Sequence, residues 1–110
     1  MIVAAPAYAQ TGGVTNSKYL EIIEHRYRVG EFSDTITGTV NNISTEEVSS
    51  ITIYLLLYDK ANQLITIETG YADVTPLPSQ DTSPFSINVH YQGNDMNYYV
   101  MLPDVTPWGL

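Results

Sequence analysis

The chain has 110 residues, with 4 Lys+Arg against 12 Asp+Glu and a formal net charge of −8. A field of that sign repels phosphate backbones and anionic lipid, so nucleic acid is excluded as a natural partner. No cysteine is present, which removes disulfides, thiolate nucleophiles, Cys-ligated zinc, iron–sulfur clusters and Cys-dependent copper sites.

Residues 1–10, MIVAAPAYAQ, carry an apolar stub and then Ala7-Tyr8-Ala9, the small-x-small pattern that signal peptidase reads. A signal-peptide remnant and linker are expected over residues 1–18, and with them an extracytoplasmic, secreted or cell-surface location. The charged n-region is missing, and an Ala-rich N-terminus without a targeting role is the alternative. Residues 11–17, TGGVTNS, read as a linker by composition. No apolar run reaches the roughly 18 residues that a membrane-spanning helix needs.

From residue 19 onward the pattern is strands separated by turns. Residues 19–29 place Leu20, Ile23 and Tyr27 at helical spacing, but their β-branched content and short length favour a strand. Residues 33–43 alternate, with Ile36, Gly38 and Val40 on one side and Thr35, Thr37 and Thr39 on the other. Asn41 opens a polar turn, NNISTEE, before residues 48–59. Within that stretch SITIYLLLYD is apolar on both faces and predicts a central strand covered on both sides. Asp59-Lys60-Ala61-Asn62 supplies turn chemistry for a hairpin into residues 63–73. Residues 74–83 hold Pro76 and Pro78, which cannot donate to a ladder, and suit a connecting loop. Residues 84–91 alternate again, with Phe85, Ile87, Val89 and Tyr91 inward, and residues 98–102 form the last strand. The fold class expected is all-β, an immunoglobulin-like two-sheet antiparallel β-sandwich of about six to seven strands over residues 19–103, with a tail at 104–110.

Several of these residues carry a resemblance. Gly38-Thr39-Val40-Asn41-Asn42, then Ile51 and Ile53, then Leu55-Leu56-Leu57-Tyr58-Asp59, then Leu77-Pro78 and Thr82-Ser83-Pro84-Phe85 look like the FxLYD-type domain. That pattern runs Gly-x-Val-x-Asn, alternating valines or isoleucines, Phe-x-Leu-Tyr-Asp, then Leu-Pro-Gly before a Phe-led strand. Leu55 stands where the name-giving Phe would be, and Ser79 where the turn Gly is usual. The match covers about residues 19–102 and implies a small β-sandwich module of exported or surface-attached prokaryotic proteins, with no catalytic residues to carry over.

Candidate sites are few. Nine tyrosines and one tryptophan accompany two phenylalanines. Tyr54, Leu56 and Tyr58 share one face of the central strand, with Tyr99 and Met101 as prospective same-face partners and Trp108 in the tail. Such a patch suits a protein or glycan partner at the cell surface; the competing reading is that these rings fill the core. Asn42-Ile43-Ser44 is a sequon in a turn and makes Asn42 a candidate glycan acceptor. His25, His90, Met96 and Met101 are soft ligand types suited to copper, but their spacing matches no metal motif. Asp95 with Asn94 and Asn97, or Asp73 with Asp81, are candidate calcium ligands that lack the DxDxDG pattern. No nucleophile elbow, phosphate cradle or spaced acid/base pair is present.

The expected function is therefore a non-catalytic, cofactor-free module acting in protein interaction or envelope structure. The alternatives are a metal or small-ligand carrier, or a subunit that self-assembles as a homodimer through an edge strand at residues 19–29.

Overall fold

A computed structural model of the chain describes residues 12–91 and 96–105. Seven strands follow one another: β1 (Gly12–Val14), β2 (Leu20–Arg28), β3 (Asp34–Asn42), β4 (Ile51–Tyr58), β5 (Leu64–Ala72), β6 (Thr82–Val89) and β7 (Tyr98–Val105). No helix occurs among the described residues. Hydrogen bonding joins all seven into one mixed sheet in the order β1-β7-β4-β5-β6-β3-β2. Every pairing is antiparallel except β1 with β7. The β5–β6 ladder is only two residue pairs long, Tyr71 with Ser86 and Ala72 with Phe85.

The sheet curls until β2, at one end of the strand order, packs beside β7. There the Tyr27 ring stacks on Tyr99 with centroids 5.6 Å apart, and His25 Nδ1 lies 2.9 Å from the Tyr99 hydroxyl. The result is a nearly closed barrel whose interior is the core. Ile51, Ile53, Leu55 and Leu57 line it from β4, Ile36 and Val40 from β3, Phe85, Ile87 and Val89 from β6, and Tyr99 and Met101 from β7. Alternation accounts for all of these inward positions.

Several sequence motifs find their physical reason here. A Cβ on Gly38 would lie 2.6 Å from the Phe85 ring and would collide with the Glu24 carbonyl, so β3 needs glycine at that point for the ring to cross it. In the β4–β5 turn Asp59 Oδ1 accepts from the backbone of Ala61 at 2.8 Å and Gln63 at 3.0 Å. Asn62 takes the left-handed conformation, φ 61°, which Asn tolerates better than most residues. Pro84 and Pro103 both lie inside strands. Asp73 N donates to Pro84 O, and Thr15 N to Met101 O. By alternation the missing N–H of Pro84 points at the β5 seam, and that of Pro103 at the open edge beyond β1, so neither interrupts a full ladder.

Four expectations are corrected. The linker at 11–17 contains β1, recruited by the free edge of β7; its three residues, two of them glycine, have no local strand signature. The central strand is shorter than 48–59, because Val48 leaves the ladder and instead bridges Leu77. Its two faces are also unequally covered: Ile51, Ile53, Leu55 and Leu57 are fully buried, whereas on the other face Thr52 is buried, Leu56 and Tyr58 are half-buried and Tyr54 is exposed. The last strand runs on to Val105, past the expected domain end at 103.

Candidate interaction face

Residues paired across a ladder share a face, and the register of β4 with its two neighbours defines four rows on the outside of the barrel. Tyr58 pairs with Leu64 and Tyr98, Leu56 with Ile67 and Val100, Tyr54 with Thr69 and Leu102, and Thr52 with Tyr71 and Asp104. Within these twelve positions Asp104 is the one charged side chain. Tyr71 is 63 % exposed, Ile67 51 %, Leu64 48 % and Tyr54 36 %. The Tyr58 and Tyr98 rings stack with centroids 5.0 Å apart at 11°, and the Tyr98 hydroxyl donates to Asn62 Oδ1 at 3.1 Å. The face is thus apolar at its centre, with tyrosine hydroxyls around it, on a chain whose net charge is −8.

The structure divides the expected patch. Tyr54, Leu56 and Tyr58 lie together on this face. Tyr99 and Met101 do not: they pair with Leu57 and Leu55 on the inner side and are 1 % and 0 % exposed. The same-face residues of β7 are their neighbours Tyr98, Val100 and Leu102. A run such as YYVML is apolar on both parities, so periodicity does not choose between them. Leu64, Ile67 and Tyr71 were missed, although the hairpin at Asp59 would have brought them opposite β4 once its register was known. Trp108 lies outside the described residues, as do Ala7-Tyr8-Ala9, Asn94 and Asp95.

Asn42 is not a surface acceptor in the folded domain. It is fully buried; its Nδ2 donates to the carbonyls of Glu46, Leu77 and Pro78 at 2.9, 3.0 and 3.2 Å, and its Oδ1 accepts from Ser44 N and Oγ. The side chain ties the loop after β3 to the loop before β6. The sequon serine is part of that tie, which leaves the amide nitrogen no route to a glycan without unfolding the connection.

The soft-ligand candidates are not brought together. Met96 and Met101 are buried apolar residues, His25 is engaged with Tyr99, and His90 contacts Glu68 with Nδ1 3.3 Å from Oε1. Among the described residues no group of three or more His, Asp or Glu side chains, Asp73 and Asp81 included, is placed to hold a metal ion.

A second polar cluster lies where the barrel closes. Tyr27 donates to Asp34 Oδ2 at 2.6 Å, and the other oxygen of Asp34 accepts from Gly30 N at 3.1 Å. Burial, followed by the bond to Asp34, pushes the Tyr27 phenol far above its ordinary 10.0. Burial likewise raises Tyr99 and lowers His25 below 6.5. All three shifts favour the neutral form, so the three rings of Tyr27, Tyr99 and His25 form an uncharged clasp joining β2 to β7, with Tyr27 donating to Asp34. It holds no activated nucleophile.

β2 is the terminal strand that the homodimer alternative requires. Its sequence carries Glu21, Glu24, Arg26 and Arg28, and a register shift falls between Ile22 and Glu24. Charge and bulge are features that blunt a sheet edge against pairing. No family model, curated protein or solved structure matches the chain.

Proposed function

We propose that the chain is a non-catalytic extracytoplasmic module that binds a protein partner through the outer face of β5, β4 and β7. The observation that carries this reading is the contiguous set Tyr54, Leu56, Tyr58, Ile67, Tyr98, Val100 and Leu102, free of charge at its centre on a strongly acidic chain. Charge-depleted centres rich in tyrosine are the composition of interface cores, and tyrosine supplies large contact area at small entropic cost. In the same reading the fold is an opened immunoglobulin-like sandwich of FxLYD type. One half is β2-β3-β6, the other β1-β7-β4-β5, and the short β5–β6 ladder is their junction. The Gly38, Val40, Asn42 and Asp59 roles described above are those a fold-determining motif would need. Export rests on the Ala7-Tyr8-Ala9 pattern.

Photocrosslinking in the native host tests the binding face. A photoreactive residue at Tyr54, Ile67 or Tyr71 should give the same discrete adduct, absent when the probe sits at Thr37 on the opposite side of the barrel. Identical products from Thr37 and from Tyr54 would sink the assignment. Mass spectrometry of the mature amino terminus tests export, since a chain beginning at or before Met1 argues against it.

A further inference from the structure

The seam between β5 and β6 is a wedge. At its closed end Asp73 N donates to Pro84 O at 2.9 Å, and the ladder runs through Ala72–Phe85 and Tyr71–Ser86. Gly70 permits this approach, since a Cβ there would lie 2.5 Å from Ile87 Cγ1 and 2.8 Å from Ser86 O. Continuing the register would pair Thr69 with Asn88 and Ile67 with His90, yet the ladder stops. Because Asp73 turns its N–H toward β6, alternation turns the backbone groups of Tyr71, Thr69 and Ile67 the same way. On the facing strand His90 N does point into the gap, where Glu68 Oε2 accepts its hydrogen at 2.9 Å. A side chain thus stands in for the missing rung. The opening holds about 520 Å³, bordered by Ile67 and Tyr71 as well as by Glu68, Asp73, Asn88 and His90.

Two strand edges with main-chain groups aimed into a cleft are a template for an added strand. The lining has two carboxylates, Glu68 and Asp73, and neither lysine nor arginine. We propose that this seam accepts an extended segment of another polypeptide, which pairs with β5 at Ile67 and Thr69 and places a lysine or arginine beside Glu68. The site adjoins the apolar face, with which it shares Ile67 and Tyr71, and differs from it in chemistry: there side chains meet side chains, whereas here main chain meets main chain and one carboxylate selects charge.

Amide hydrogen exchange on the full chain tests it. The probe is a decapeptide of alternating threonine and valine with one central lysine, compared with the same peptide carrying glutamate and with one N-methylated at alternate residues. The lysine peptide should slow exchange at the Ile67, Thr69 and Asn88 amides about tenfold, with the glutamate peptide about tenfold weaker and the N-methylated one inert. Thr69→Pro removes a seam-facing donor while sparing the β4 ladder, and should abolish the protection with the fold intact by circular dichroism. Glu68→Gln should erase the preference for lysine over glutamate. The proposal is overturned by no protection from any peptide, by protection confined to β4 and β7, or by equal binding to the two variants. It is also overturned by protection that rises with protein concentration alone, which assigns the seam to a second copy. Leu56→Arg should leave peptide protection unchanged, so loss of crosslinking from Tyr54, which lies outside the seam, and loss of strand capture are read separately.

Discussion

The two halves of the barrel wall share one interior and differ on the outside. Over β3 and β6 the outward pairs are Thr35 with Asn88, Thr37 with Ser86, Thr39 with Pro84 and Asn41 with Thr82. Over β4, β5 and β7 the corresponding rows are Tyr58, Leu64 and Tyr98, then Leu56, Ile67 and Val100. The first set is hydroxyls, amides and a proline, side chains that water satisfies. The second would be chosen for a core. Sheet formation alone explains neither choice, because β-branched polar residues such as threonine serve a strand as well as isoleucine does. The proposed binding face rests on that difference between the β3–β6 rows and the β4-centred rows; β2 and its flanks also expose apolar residues, Ile23 among them.

The sharpest way to break that comparison is to truncate two adjacent leucines of β4. Leu55 is fully buried and Leu56 only half so. Leu55→Ala should cost about 3 kcal/mol in urea denaturation, and Leu56→Ala about 1 kcal/mol or less, the cavity term being absent outside. Equal losses would mean that the outer face is packed in the free chain. Asn42→Ala should come next, at about 2 kcal/mol, since three carbonyls lose their donor in a buried setting. Asn42→Asp should be no milder, as a carboxylate cannot donate to them.

The clasp at the barrel's closure should appear as pH dependence of the thermal midpoint. His25 has a folded pKa below its unfolded 6.5, so the unfolded chain binds more protons at mildly acid pH. Stability is whole above 6.5 and falls as the pH drops through the folded pKa; His25→Asn should flatten that slope. Tyr27 and Tyr99 are shifted upward from 10.0, so the folded chain retains protons that the unfolded chain releases. Their contribution is whole below pH 10 and is lost as pH rises beyond it, less steeply in Tyr27→Phe. The smallest effect belongs to the polar half: Thr37→Ala should stay within about 0.5 kcal/mol and leave the crosslinking pattern at Tyr54 untouched.

Much of the succession of strands along the chain could be read from residues alone. Alternation set Ile36, Gly38 and Val40 on one face and named Phe85, Ile87 and Val89 as inward, and Asp59 with Asn62 named a turn whose hydrogen bonds are now visible. Less legible were the elements whose residues do not commit. Gly12 and Gly13 become a strand because β7 offers a partner edge. Tyr99 and Met101 turn inward because the register with Leu57 and Leu55 assigns them there, while their neighbours Tyr98 and Val100 complete the exposed face. Asn42 looked like a surface acceptor because a sequon in a polar turn reports composition and not depth.

By itself the amino-acid order determined the class of structure, since side chains repeating every second residue bury one surface only as strands, and it determined the acidic field and the absence of thiol chemistry. Which face of β4 is the less covered, where the β5–β6 ladder stops and how Asn42 is buried were decided by tertiary structure. Each depends on the pairing of segments far apart in the chain, and a register is a relation between two strands that neither strand contains.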